Sequence, residues 1–180
     1  MRRVRLFIAT SLDGYIAGPD DDTSWLFRDG DYGYAAFFAG IDTVLVGRRT
    51  YESALAMDPW PYADRRVVVF TRGSDLVVAS PDTVATSRSP DQVVAELRAG
   101  EGKHLWVVGG AMLVGACLDA GVIDDLIVSI HPILLGGGVP LVAPGARRTP
   151  LALVGERRFP SGLVQLTYRT DRDDVDASRG

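Results

Sequence analysis

Two short stretches place phosphate-binding residue types where a strand hands over to a helix. In Leu105-Trp106-Val107-Val108-Gly109-Gly110-Ala111-Met112-Leu113 an apolar run ends in two glycines and opens directly into a helical pattern. Helix N-termini carry unbonded N–H groups and partial positive charge, which suits a phosphate. Glycine there lets a ligand approach the backbone closely. The alternative is a tight turn that holds no ligand. In Gly47-Arg48-Arg49-Thr50-Tyr51-Glu52-Ser53 two guanidiniums and a hydroxyl stand at a second such junction. Arginine binds phosphate as a bidentate fork. Without an anion, cations in a first helical turn oppose the macrodipole at a cost of about a few tenths of a kcal/mol. Neither stretch is a Rossmann fingerprint, which needs G-x-G-x-x-G after the first strand and an acid further on. The glycine pair comes late in the chain, the next glycine is Gly115, and no Gly-Lys-Ser/Thr follows.

The elements that must position these residues follow from the apolar pattern. Val4 to Ala9, Thr43 to Val46, Arg66 to Phe70, Leu105 to Val108 and Leu126 to Ile130 read as short buried strands. Leu76 to Val78 and Val84 to Thr86 are candidate short strands. Helices are expected over Tyr32 to Ala39, Arg48 to Met57, Gln92 to Arg98 and Ala111 to Ala120. Ser89 is a candidate cap for the third, with Pro90 at its first position. Ser11 to Asp20 reads as a loop, punctuated by Gly14, Gly18 and Pro19. Leu151 to Tyr168 reads as two strands joined at Pro160-Ser161-Gly162. Apolar strands alternating with helices imply an α/β fold whose central mixed sheet is mostly parallel, covered on both faces, with an antiparallel C-terminal edge.

Composition narrows the function classes. The 180 residues fit one domain, taken as 1–170, with a polar tail over 171–180. A formal net charge of -4 lacks the footprint of a nucleic-acid binder. No apolar run approaches the roughly 20 residues of a membrane span, and the basic start lacks an h-region and cleavage site. By elimination the expected location is the cytoplasm, away from membranes. Cys117 is the only cysteine, and its apolar surroundings suggest a small buried hydrophobe rather than a reactive thiol. His104 and His131 stand far apart without ligands at metal spacing, so no metal site is expected. His131 could face a substrate from the end of its strand; a satisfied or surface histidine is the plainer reading.

Several segments, in order, resemble the dihydrofolate reductase superfamily, and more closely the reductase domain of bacterial riboflavin biosynthesis and its stand-alone relatives. They are Ile8 to Ala17, Val46 to Ser53, Arg66 to Arg72, Val107 to Ala111, Leu118 to Leu126 and Pro132 to Leu141, within residues 4 to about 168. The resemblance implies a three-layer dihydrofolate-reductase-like fold and NADPH as cofactor. Ala9 and Ile16 would flank the nicotinamide, with the Asp13 to Gly18 loop closing over it. Gly47, Arg48 and Thr50 would hold adenosine-side phosphates, with Arg48 or Arg49 at the 2′-phosphate, and Thr71 and Arg72 beside the adenine ribose. Val108, Gly109, Gly110, Ala111 and Leu113 would carry the pyrophosphate, the two glycines being joined by a cis peptide.

On the substrate side, Asp31 aligns best with the acid that folate reductases place against the pterin ring, and Asp29 next. Ser129 aligns with a substrate-side hydroxyl; a buried serine bonded to backbone is the alternative. Asp13 is assigned to a turn. The substrate implied is a small heterocycle, a ribosylated pyrimidine or a pterin. The zinc signature of the deaminase often fused to such reductases does not occur in the sequence. Dihydrofolate reductase proper and a non-catalytic nucleotide- or flavin-binding module stay open as alternatives, and a homodimer is the expected assembly.

Overall fold

The computed structural model describes residues 1–73 and 75–170; the polar tail lies outside them. In chain order the elements are β1 (Val4–Ser11), β2 (Tyr15–Ala17), α1 (Tyr34–Ala39), β3 (Ile41–Gly47), α2 (Arg48–Leu55), β4 (Arg66–Phe70) and β5 (Thr83–Thr86). They continue with α3 (Pro90–Ala99), β6 (His104–Gly109), α4 (Ala111–Asp119), β7 (Asp125–His131), β8 (Val139–Pro140), β9 (Leu151–Arg158) and β10 (Val164–Thr170).

Among the described residues eight strands form one sheet in the order β5-β4-β3-β6-β1-β7-β10-β9. The first six in that order run parallel, and β10 and β9 close the edge antiparallel. Period-two alternation divides the side chains between two cores. On one face Val4, Leu6, Leu45 and Val107 meet Val94 and Leu97 of α3 and Val114 and Cys117 of α4. On the other, Val44, Val46, Val67 and Trp106 meet Phe37 of α1 and Tyr51 of α2. Each fully buried aliphatic side chain contributes about 1.5–3 kcal/mol relative to exposure, so the layered core holds the strand ends in register.

Local differences from the sequence expectation have physical causes. Ser11 extends β1 because its backbone still pairs with His131 of β7. Tyr15–Ala17, expected as loop, forms β2 by pairing with Val139 and Pro140. Residues 76–78 form no strand; Val77 and Val78 are exposed, and Val77 offers its carbonyl to the Tyr51 hydroxyl instead. Ser89 occupies the cap position of α3 but its side chain makes no cap bond. Among the described residues no helix is long and apolar enough to cross a membrane.

Candidate functional site

Parallel strands present their carboxyl ends along one edge of the sheet, where β3 and β6 lie side by side while their connections leave in opposite directions, to β4 and to β7. Ligands of open α/β sheets bind in the crevice at such a switch point. Gly47 ends β3 and Gly109 ends β6, and both strands run straight into helices. A Cβ on Gly47 would stand 3.5 Å from the Gly109 carbonyl oxygen and 3.9 Å from Cβ of Leu113, and one on Gly110 would stand 3.3 Å from Thr50 Oγ1. Gly47, Thr50, Gly109, Gly110 and Leu113, singled out from two distant stretches, thus meet. The peptide between Gly109 and Gly110 is cis, as the resemblance implies. Gly109 has φ +131 and open space where a side chain would point. The N–H groups of Leu113 and Val114 bond back to the Gly110 carbonyl. Those ahead of them in the first turn, at Ala111 and Met112, are the ones an anion would take.

The two arginines diverge. Arg48 turns towards the segment after β4, where its Nη atoms donate to Asp75 at 2.8 and 3.2 Å and its Nε donates to Glu52 at 2.7 Å. These carboxylates raise the guanidinium pKa, and Arg48 holds the Asp75 carboxyl down at about 2. Arg49 turns the other way, to Asp21 in the turn after β2, at 2.6 Å. The macrodipole penalty foreseen for these cations is therefore relieved by carboxylates within the chain itself. Thr71 orders the turn after β4 by accepting the Gly73 N–H at 3.0 Å, and Arg72 beside it is exposed.

At the other end of the same edge, between β1 and β7, lies a cleft of about 350 Å³. Aromatic and aliphatic groups, among them Phe7, Phe27, Tyr32 and Tyr34, form most of its wall, and Ala9, Asp31, Ser129 and His131 also line it. Both oxygens of Asp31 accept backbone N–H groups, from Gly33 and Ala35, so the carboxylate also starts α1. Asp29 does not line the cleft; it accepts the Tyr32 hydroxyl, which raises the Tyr32 pKa. Gln165 donates through Nε2 to Ser129 Oγ and to the Tyr32 carbonyl, each at 3.0 Å. Ser129 is thus bonded to a side chain, not to backbone.

His131 sits in the wall, buried, although sequence reasoning preferred a satisfied or surface role. It is satisfied and it is in the cleft. Nδ1–H donates to the Ser129 carbonyl at 3.3 Å, and Nε2 accepts the Phe27 N–H at 3.3 Å. Trp25 and Phe27 pack on the ring, and burial pushes its pKa down. The partners define a neutral imidazole protonated on Nδ1. Nothing local in the sequence marks this role, because Trp25 and Phe27 are more than a hundred positions away.

Ile16 lies on β2, where a staple outside the cleft pins the first loop. Asp13 accepts Ser11 Oγ–H at 2.6 Å, Leu135 N–H at 3.1 Å and Gly136 N–H at 2.7 Å. Asp13 therefore has the turn role expected of it and also anchors the start of the glycine loop at Gly136. Cys117 is buried, which pushes its thiol up to about 12. Trp60 packs edge-on between Tyr51 and Tyr62, against the core beneath α2. Among the described residues no three His, Cys, Asp or Glu side chains group as metal ligands would.

The family model described as the RibD C-terminal domain matches residues 2–165. The chain is 36% identical over 171 residues to the uncharacterized protein YwjB of Bacillus subtilis, covering 93% of this chain and 97% of that protein. It is 31% identical over 179 residues to the uncharacterized protein YyaP of the same organism, covering 93% and 94%. The crystal structure of a putative riboflavin biosynthesis protein from Shewanella sp. PV-4 superposes with a TM-score of 0.82 at 28% identity, covering 94% of this chain and 99% of that one. A diaminohydroxyphosphoribosylaminopyrimidine deaminase/5-amino-6-(5-phosphoribosylamino)uracil reductase from Thermotoga maritima shares the fold at a TM-score of 0.72 and 17% identity, with 94% of this chain covering 57% of that one.

Proposed function

The chain belongs to the RibD C-terminal domain family, and from that premise we propose that it is an NADPH-dependent reductase of a small heterocycle, a ribosylated pyrimidine or a pterin-type ring. One observation carries this reading. Thr71, Gly47 and Gly109 stand at or just past the carboxyl ends of three adjacent parallel strands and Ala9 two residues before the end of a fourth, in a row that ends at the aromatic cleft. Strands lie about 4.8 Å apart, so the row can support an extended dinucleotide from its adenosine end to its nicotinamide end.

The residues present fit such a cofactor. Open space over Gly109 admits a pyrophosphate to the backbone, the first turn of α4 offers N–H groups, and Thr50 adds a hydroxyl. Arg48 is the residue for the adenosine-side phosphate, beside Thr71 and Arg72. When bound, the reduced nicotinamide supplies a hydride. The chain supplies position: Ala9 leaves room near the carboxyl end of β1, and Phe27, Tyr32 and Tyr34 offer aromatic surface to a planar ring. Asp31, the carboxylate in the wall, can accept N–H groups of an amino-heterocycle and is our candidate for the group that handles the accompanying proton. His131 has both nitrogens engaged and holds Phe27 instead.

A second reading, a nucleotide- or flavin-binding protein without turnover, is favoured by one fact: both Asp31 oxygens are already used by α1. Titration of NADPH and NADH against tryptophan fluorescence, followed by NADPH consumption with aminopyrimidines, dihydropterins and flavin precursors, separates the two. Binding with turnover supports the reductase, and the pterin arm tests dihydrofolate reductase activity proper. Binding without turnover supports the second reading. Failure of both nucleotides to bind overturns the reductase.

The expected homodimer and cytoplasmic location belong to this proposal. Among the described residues the strand β9 has only β10 as neighbour, and it exposes Leu151, Leu153 and Val154. A Leu153→Asp change that leaves the mass in light scattering unaltered from wild type would rule this edge out as the dimer contact.

A further inference from the structure

We propose that Asp75 weakens the preference for NADPH over NADH that Arg48 provides, by holding Arg48 as an internal stand-in for the 2′-phosphate. The proposal rests on the nucleotide-binding reading above and goes beyond it to a group that tunes how strongly the 2′-phosphate is preferred. Both oxygens of Asp75 face the two Nη atoms of Arg48 in a fork, the geometry a phosphate would adopt. Glu52 takes the Nε–H, so three of the five guanidinium donors are committed before any ligand arrives. Gly73 makes the fork possible, because a Cβ there would overlap Arg48 Nη1 and stand 3.0 Å from Asp75 Oδ1.

The pair lies where the adenosine ribose is expected, between the residue that follows β3 and the segment that follows β4. Here the two chemistries of ribose recognition compete. A carboxylate accepts hydrogen bonds from ribose hydroxyls, whereas an arginine accommodates a 2′-phosphate. With Asp75 in place, the 2′-phosphate must displace one anion from Arg48 and then sit beside it. A 2′-hydroxyl meets an acceptor and loses nothing. Asp75 itself is mostly exposed, with its side chain at 77%, so it can swing aside, and its replacement leaves the core untouched.

The experiment measures binding of NADPH, NADH, adenosine 2′,5′-bisphosphate and adenosine 5′-monophosphate to wild type, Asp75→Asn and Asp75→Glu by calorimetry. Asp75→Asn is expected to tighten the two 2′-phosphorylated ligands about tenfold relative to their partners, since the anion beside a doubly charged phosphate is gone. Asp75→Glu is expected to keep the wild-type ratio. If the ligands bind and Asp75→Asn leaves both ratios unchanged, the selectivity role is overturned while the nucleotide site stands. If none of the four binds any of the three proteins, the nucleotide reading falls and this inference with it.

Discussion

The carboxylate of Asp13 accepts the Gly136 N–H at 2.7 Å, across 123 positions of sequence. The same side chain accepts Leu135 N–H and the Ser11 hydroxyl, while Ser11 Oγ in turn accepts Tyr15 N–H. One exposed aspartate therefore joins the loop after β1 to the glycine loop before β8, and the β2–β8 pairing follows from it.

Asp13→Ala is expected to raise amide hydrogen exchange over residues 13–17 and 135–141 while leaving the strands of the main sheet protected. The bonds to the charged form hold the Asp13 carboxyl down at about 2, below the ordinary value of about 3.9. A depressed carboxyl contributes stability that is complete above the ordinary value and is lost as pH falls towards 2. The wild-type loop pair should therefore loosen over that window in acid, and the Asp13→Ala pair should show no further change there. Equal acid sensitivity of both proteins would refute the staple.

Gly138 has φ +129, and a Cβ on it would overlap the Ala17 carbonyl oxygen and the Gly18 backbone. Gly138→Ala is expected to cost about 1–3 kcal/mol in urea unfolding, from backbone strain together with the overlap. Gly137, with nothing within 4 Å and no positive φ, should accept alanine almost freely. Similar unfolding midpoints for the two variants would count against the close approach.

His131 is neutral and accepts the Phe27 N–H. Its folded pKa is lowered by burial, so stability rises with pH: the contribution is present above the ordinary histidine value and is lost as pH falls through the folded one. His131→Phe leaves the Phe27 N–H without its acceptor, a loss of about 1–2 kcal/mol near neutrality, but it should abolish the acid-dependent step. Tracking the His131 ring by NMR alongside thermal unfolding checks both parts.

Gln165 joins the Ser129 hydroxyl to the Tyr32 carbonyl, and both residues line the cleft. Gln165→Leu removes both bonds and should destabilise by about 1–3 kcal/mol, the cost of stranding buried polar groups. Substrate KM should rise more than kcat falls, because the change spreads the walls without touching Asp31. A fall in kcat alone would assign Gln165 a part in the chemistry instead.

Local chemistry made much of this legible. Gly109-Gly110 after an apolar run, and Arg48 to Thr50 after another, mark strand-to-helix junctions within a few residues each, so nothing distant is needed to read them. The C-terminal strands were visible for the same reason, from Pro160-Ser161-Gly162 between two apolar runs. β2 was not: its three residues have no period of their own and become a strand only because Val139 and Pro140 lie alongside. Ser129 was visible as a candidate but its partner Gln165 was not, since antiparallel register between β7 and β10 decides that they face each other.

By itself the sequence determined most of the main-sheet strands, the helices and the family of fold, because hydrophobic period, glycine and proline act over a turn or two of chain. It also determined that Arg48 and Arg49 would stand at the start of a helix. Only the tertiary structure decided what those guanidiniums meet, sending one to Asp75 and the other to Asp21. It likewise turned His131 into the cleft, bonded to Phe27, and turned Asp29 away. Such partners are chosen by strand order and loop closure over tens of residues, and hydrogen bonds and ion pairs reward a geometry that no local pattern specifies.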